Sequence, residues 1–581
     1  MIRRNLGVYV VLGLLVVFLY YASYFNNPLR DPRRVNYINY SSDVSGNSGM
    51  VVSAGKYASR VGLEILKKGG NAVDAAVAVG FVLAVTYPQA GNIGGGGFML
   101  IRTKDTITSI DFREKAPSAA YKDMFLDNKG NFIPDKSQFG HLSAGVPGSV
   151  AGMLYALEKY GTMSRSEVMQ TAIDYAENGF EIEPEFAESL NAEHEHFTKF
   201  PGTKKIFTRV RENFFGGELF VQKDLANTLK LIMDNGTDGF YKGTTAELIE
   251  REMKNNGGLI TQEDLLNYQP VERKPVMVNY KGYDVYSMAP PSSGGISLGI
   301  LLNMIEHDPI PDTSKKEDYG WYLHALIESM KRVYADRSEY MGDPDFYDVR
   351  TQDLLSKQYA KERRKSIADT SSPSNTIKPG LSTFYKESDQ TTHYSVIDKD
   401  GNMVSVTTTL NNLYGSFVVV DGAGFLLNDE MDDFSSKPGE PNMFGLIGDV
   451  ANSIQPNKRM LSSMTPTILL KDGKPLMILG SPGGGKIITA VFETILNVID
   501  FKLPLNIAVD KPRFHHQWYP EYVQYESGAF DSTLIAELTA KGHVLTRVHD
   551  YGNVSAILIN WDTHQYYGHA DRRGYGEAVG Y

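Results

Sequence analysis

The chain has 581 residues, 42% of them hydrophobic, enough to bury a large core in one big domain or two closely packed ones. Its net charge of -11 gives no sign of the clustered basic face that nucleic-acid binding needs. The absence of cysteine excludes disulfides, thiolate nucleophiles and cysteine-ligated zinc, and leaves the compartment open.

In chain order, Arg3 and Arg4 precede an uncharged run over residues 6–25 (LGVYVVLGLLVVFLYYASYF), close to the ~20 residues that span a bilayer. The positive-inside rule puts the two arginines in the cytoplasm and everything after the run outside it. Bulky Tyr20 and Tyr21 stand where a cleavable signal has small residues, which favours an uncleaved single-pass anchor; cleavage would give a periplasmic or secreted protein. Residues 26–48 are a polar, Asn- and Ser-rich stalk. An amphipathic helix is predicted over 54–68, stopped by Gly69-Gly70, and Asn71 caps a second, almost wholly apolar helix running to Val85. Gly94 to Gly97 has no Lys-Ser or Lys-Thr after it, so it reads as a tight turn between buried elements and not as a phosphate cradle. Residues 107–113 alternate like a strand, and 143–267 carry several helical periods with charged, solvated faces.

Gly295-Ile296-Ser297-Leu298-Gly299 matches the nucleophile-elbow pattern, but Ser297 falls inside an apolar helix running to Ile305, with no strand before it. The stretch 367–390 is polar and without clear period, the best internal linker candidate, and it ends at Thr391. From Gln390 to Asn411, β-branched and aromatic residues flank a five-residue loop, Asp398 to Asn402, that carries an Asp-Gly turn signal, which predicts a β-hairpin. Centred on Asp400, the register sets Thr391 opposite Thr409; a slip brings Thr407 or Thr408 there instead. A lone Thr-Thr pair is more often just a pair of good strand residues. Gly480-Ser-Pro-Gly-Gly-Gly-Lys486 fits seven positions of a Walker A loop, yet Ile487 stands where the magnesium-binding hydroxyl belongs. Backbone N–H groups at such a helix start suit an oxyanion equally well. Adjacent His515 and His516 point in different directions on a helix or strand, so no metal site is expected.

The run Thr391-Thr392-His393-Tyr394-Ser395-Val396 resembles the start of the small subunit of the γ-glutamyltranspeptidases, N-terminal-nucleophile (Ntn) hydrolases, and the resemblance extends from about Met50 to Tyr581. It implies self-cleavage between Gln390 and Thr391. The chemistry is sensible in itself, because a threonine hydroxyl is a weak nucleophile and a freed N-terminal threonine carries its own base, an amine of pKa ~8. The resemblance also implies roles for particular residues: Arg113 for the donor's α-carboxylate together with Ser462 and Ser463; Asp433 for its α-ammonium, with Glu430 and Asn411 beside it; Thr409 to orient the nucleophile; and Gly483 and Gly484 for the oxyanion. Residues 438–449 resemble a lid, with Phe444 where some relatives have tyrosine, and Glu430 stands where some have glutamine.

The expected fold is therefore α/β (α+β), an αββα Ntn sandwich built jointly by a large subunit, 49–390, and a small catalytic subunit, 391–581. Expected partners are glutathione and other γ-glutamyl compounds, amino-acid or dipeptide acceptors, the other fragment in a heterodimer and, through residues 1–25, a membrane; no cofactor, metal or nucleic acid is expected. Rival readings are a related Ntn acylase acting on β-lactam side chains or polyglutamate, an uncleaved membrane-anchored binding protein, and a P-loop NTPase.

Overall fold

The computed structural model describes residues 38–209, 213–313, 315–380, 391–437, 443 and 450–581. The apolar run 6–25, Gln390 and Phe444 with most of the lid stretch lie outside the described residues. Among those described, no helix is long and apolar enough to cross a membrane.

Two seven-stranded antiparallel sheets are stacked face to face. One runs in the order Glu577–Gly580, Gly49–Ser53, Thr392–Asp398, Met403–Thr409, Gly96–Arg102, Ile107–Asp111, Val271–Arg273. The other runs Val44–Gly46, Gln565–Ala570, Ser555–Asn560, Lys474–Gly480, Thr467–Lys471, Tyr283–Ser287, Val276–Tyr280. Period-two alternation sorts their side chains. Met50, Val52, Leu100, Ile397 and Met403 meet Ile468, Ile478 and Ile557 between the sheets, whereas Val51, Tyr394, Val396 and Val404 face helices on the outside. Helices Lys56–Lys67 and Ala72–Thr86 cover the first sheet, and helices Gly294–Ile305, Lys316–Tyr340 and Gly485–Ile499 cover the second. The layers are α, β, β, α, the sandwich expected. Both sheets contain strands from either side of residue 390, so the two stretches share one core.

Several local signals act as read. Asn71 Oδ1 accepts from the N–H groups of Val73 and Asp74 at 2.8 and 3.1 Å, and Asp74 returns the bond to Asn71 N at 2.8 Å, a complete capping box. Every residue of the helix that follows is buried. Ser297 lies buried in helix Gly294–Ile305, away from any strand-to-helix elbow.

The linker expectation fails over the described part of 367–390. Residues 366–380 are pinned to the buried charges of helix Lys316–Tyr340: Arg332 Nη2 donates to Ser366 O at 2.6 Å, Lys331 Nζ to Ser372 O, and Gly380 N to Asp336 Oδ1 at 2.8 Å. Trp518 Nε1 donates to Ser374 O at 2.7 Å, which fixes the middle. A polar segment without period is not thereby mobile, because charged side chains from a neighbouring helix can satisfy its backbone.

Candidate active site

The hairpin has the register predicted. Thr392 pairs with Thr408 and His393 with Thr407, symmetric about Asp400, and one residue further sets Thr391 opposite Thr409. The turn is fixed by Asp398, whose carboxylate accepts from Asp400 N at 2.9 Å, Asn402 N at 3.0 Å and, across the fold, Ala72 N at 3.0 Å. At the open end, Asn92 Nδ2 donates to Thr409 O at 2.8 Å while Asn92 Oδ1 accepts from Gly95 N at 2.9 Å. A Cβ on Gly95 would lie 2.1 Å from Thr409 O, so the glycine run is what lets the chain pass this close behind the strand end. Asn92 was not singled out by the sequence, although its place just before the glycines marks a turn residue able to bond its own backbone.

His393 links this strand to the loop carrying the two glycines. Its ring is buried, with Nδ1 2.8 Å from Thr407 Oγ1 and Nε2 3.1 Å from Ser395 Oγ. Burial pushes its pKa down to about 3, so the imidazole stays neutral. A Cβ on Gly480 would lie 2.3 Å from that ring. Strand Thr392–Asp398 and the strand leading to Gly483 and Gly484 are therefore packed with no free space at this point. Gly483 and Gly484 have φ of 127° and 51°, left-handed values that glycine tolerates, and they turn the chain into helix Gly485–Ile499.

One pocket enclosing about 210 Å³ of empty space collects the predicted residues. Thr391, Thr409, Asn411 and Gly484 line it, with Arg113, Glu430, Asp433, Ser462 and Ser463 opposite. Gly483 is adjacent in the chain but not a lining residue, and Gln390 lies outside the described residues. Asn411 N donates to Thr409 Oγ1 at 2.8 Å, and Asn411 holds φ 77° through a bond from Nδ2 to Asp429 O at 3.2 Å.

Arg113 is 1% exposed and its charge is met inside the protein. Nη1 donates to Glu430 Oε1 at 2.5 Å, Nη2 to Asp433 Oδ2, and Glu114 lies 3.5 Å away. The backbone carbonyls of Met460 and Leu461 accept from the same guanidinium at 3.3 and 3.1 Å, which docks the Ser462-Ser463 segment on it. Arg113 thus meets three buried carboxyls. Burial raises the pKa of Glu430 well above the ordinary range, Arg113 pulls it back, and Glu114 and Asp433 push it up again. Glu114 is raised for the same leading reason, with a contact to the Glu430 side chain opposing it, and no N–H or O–H group among the described residues donates to Glu430 Oε2. The predicted carboxylate-binding cation and ammonium-binding anion are therefore bonded to each other.

A family model described as gamma-glutamyltranspeptidase matches residues 58–581. The chain belongs to the γ-glutamyltranspeptidase family. Among curated members, the glutathione hydrolase proenzyme of Escherichia coli K12 is 49% identical over 539 residues, covering 91% of each chain, and that of Bacillus subtilis 168 is 40% identical over 566 residues, covering 94% of this chain and 93% of the other. Among solved structures, a cephalosporin acylase from Bacillus halodurans superposes with a TM-score of 0.81 at 27% identity, covering 95% of this chain and 99% of that one. Helicobacter pylori γ-glutamyltranspeptidase gives 0.56 at 47% identity, covering 59% of this chain and 97% of that one. As a γ-glutamyltranspeptidase family member with this sandwich, the chain is an Ntn hydrolase.

The histidine pair of this family member is engaged in packing contacts: His515 Nδ1 lies 2.9 Å from Thr489 Oγ1, and His516 Nδ1 accepts from Trp518 N at 3.0 Å. Among the described residues no group of three or more His, Asp or Glu side chains is arranged to hold a metal ion.

Proposed function

We propose that this chain is a γ-glutamyltransferase and glutathione hydrolase that cuts itself between Gln390 and Thr391 and then uses Thr391 as nucleophile. The observation that carries the reading is the hairpin register, which brings Thr391 beside Thr409 in the same pocket as the Arg113–Asp433 pair and Gly484. The freed α-amine, directly or through a water, takes the Thr391 hydroxyl proton, and Oγ attacks the γ-carbonyl of glutathione or a similar donor. Gly483 and Gly484 offer N–H groups to the oxyanion. The amide C–N bond breaks, the proton passes to the leaving amine, and a γ-glutamyl ester remains on Thr391. Water, or the amine of an amino acid or short peptide, resolves it.

Donor recognition is an exchange of partners. A γ-glutamyl group carries an α-carboxylate and an α-ammonium, the same two charges that Arg113 and Asp433 now satisfy in each other. The zwitterion inserts between them, carboxylate to Arg113, Ser462 and Ser463, ammonium to Asp433 with Glu430 and Asn411 beside it. The buried charges stay paired throughout, which avoids the cost of leaving either alone. The likeness to a cephalosporin acylase raises an acylase reading, whose donor needs no α-ammonium. A comparison of γ-glutamyl and glutaryl anilides separates the two, since only the first has a cation for Asp433.

We further place residues 6–25 as a single-pass anchor with the catalytic part outside the cytoplasm, supported by the length of the run and by Arg3 and Arg4 before it.

The test is intact mass under denaturing conditions followed by kinetics. Wild type should give two fragments, the smaller starting at Thr391. Thr391→Ala should stay whole and lose at least about 10³-fold in turnover. A wild-type chain that remains whole after long incubation would remove the mechanism.

A further inference from the structure

A second buried arginine beside the pocket has no role in the mechanism above. Arg337, in helix Lys316–Tyr340, is 1% exposed. Its Nε donates to Ser293 Oγ at 2.6 Å and its Nη2 to Ser463 Oγ at 3.1 Å. Ser293 is held on both sides, because its Oγ and its backbone N–H each donate to Ser462 O at 2.7 Å. A guanidinium can only donate, so in both contacts the serine oxygen is the acceptor. Each hydroxyl proton is then directed away from Arg337: that of Ser293 to Ser462 O, and that of Ser463 to an acceptor other than Arg337, on a residue that lines the pocket.

We propose that Arg337 is a positioning residue for the donor, which makes Ser463 a hydrogen-bond donor towards the α-carboxylate and, through Ser293, fixes the backbone at Ser462. The inference rests on the γ-glutamyl reading of this pocket. Charge supports it: burial lowers the Arg337 pKa, Asp433 opposes that shift, and Arg113 adds to it, so two like charges share this side of the pocket. An incoming carboxylate relieves that repulsion. Lysine cannot replace the fork, since a point charge on a flexible stem does not serve two hydroxyls in fixed directions.

The test compares two donors on the self-cleaved enzyme, γ-glutamyl p-nitroanilide and 4-aminobutanoyl p-nitroanilide, which lacks only the α-carboxylate. Arg337→Lys should raise KM for the first about tenfold, the scale of a lost hydrogen bond to a charged group, with kcat within about threefold. For the second donor, kcat/KM should change less than about twofold. On a Ser463→Ala background the same substitution should cost less than on wild type, leaving only the part that runs through Ser293. Equal losses on both donors, or full additivity with Ser463→Ala, would overturn the proposal in favour of a structural role. Ser293→Ala keeps the guanidinium and carries the test if Arg337→Lys does not yield cleaved, folded protein. It should raise KM several-fold for the γ-glutamyl donor alone, and an unchanged KM or an equal loss on both donors sinks the idea. Failure of the wild type to turn over the γ-glutamyl donor would instead strike the functional reading, and this proposal with it.

Discussion

Two clusters of buried charge in this protein contain the same residue types and are built on opposite principles. Near the C-terminus, Arg513 and Arg573 are ion-paired with Glu526 and Asp571, and Glu493 is a third buried carboxyl beside Arg513 and Glu526. Arg513 Nη2 donates to Asp571 Oδ2 at 2.5 Å, Arg573 Nε to Glu526 Oε1 at 2.8 Å, and backbone N–H groups of Arg513, Tyr551 and Val554 take up remaining carboxylate positions. Burial pushes the Asp571 pKa up, but Arg513 and Arg573 outweigh it and hold the carboxyl below its ordinary range. At the pocket, Arg113 is ion-paired with Glu430 and Asp433, with Glu114 3.5 Å away, and Glu114 and Glu430 are pushed up. Glu526 and Asp571, ion-paired and held by backbone N–H groups, fix the C-terminal segment in place. The acid-rich pocket cluster, with an oxygen to which no described N–H or O–H group donates, holds its charges in a form that a zwitterion can take over.

The comparison breaks if both clusters respond alike to loss of an arginine. Arg113→Met should lower kcat/KM for a γ-glutamyl donor by about 10²- to 10³-fold, since the donor's carboxylate loses a bidentate, charge-assisted partner. Its effect on the melting temperature should be small, because the neighbouring carboxyls can protonate. Arg573→Met should do the reverse. It leaves Glu526 and Asp571 short of a partner and should cost about 3–5 kcal/mol in urea unfolding, with kcat/KM of the folded enzyme within about twofold. The sign with pH sharpens the contrast. Asp571 has a depressed folded pKa, so its contribution is present above its unfolded pKa of about 3.9 and is lost as pH falls through the folded value. The stability gap between wild type and Asp571→Asn should therefore be widest near neutral pH and close in strong acid.

What was legible in the sequence follows the range of the interaction that decides it. The hairpin register was legible because an Asp-Gly turn and period-two alternation are local, and every observed pair is symmetric about Asp400. The Asn71 cap is local in the same way, whereas of the turn predicted over Gly94 to Gly97 only Gly94 and Gly95 precede the strand, which begins at Gly96. The identities of Arg113 and Asp433 came through resemblance, but their bond to each other joins residues 320 positions apart, and no local pattern encodes it. Arg337 gave no signal at all. It sits in a charged run, Lys331 to Arg337, and Lys331, Arg332, Asp336 and Arg337 are all buried. The same buried face explains the misreading of 367–380, whose backbone is satisfied by side chains that a sequence reader sends to solvent.

The smallest effect tests the acid-rich cluster at its least satisfied member. Glu430 is 1% exposed, with one oxygen on Arg113 and the other receiving no N–H or O–H bond from the described residues. Its folded pKa is raised, chiefly by burial, so its favourable contribution is fully present below the unfolded pKa of about 4.3 and is lost as pH rises through the folded value. Glu430→Gln holds the position in a permanently neutral form of nearly the same shape. Relative to wild type, the variant should be unchanged or slightly less stable at pH 4 and should gain about 1 kcal/mol as pH rises to 8, read from paired urea titrations. Donor KM should shift only a few-fold, since Asp433 remains to meet the ammonium. A gain that grows towards acid would mean that Glu430 is held ionised by Arg113, in which case it is paired as Asp571 is and the distinction between the two clusters fails.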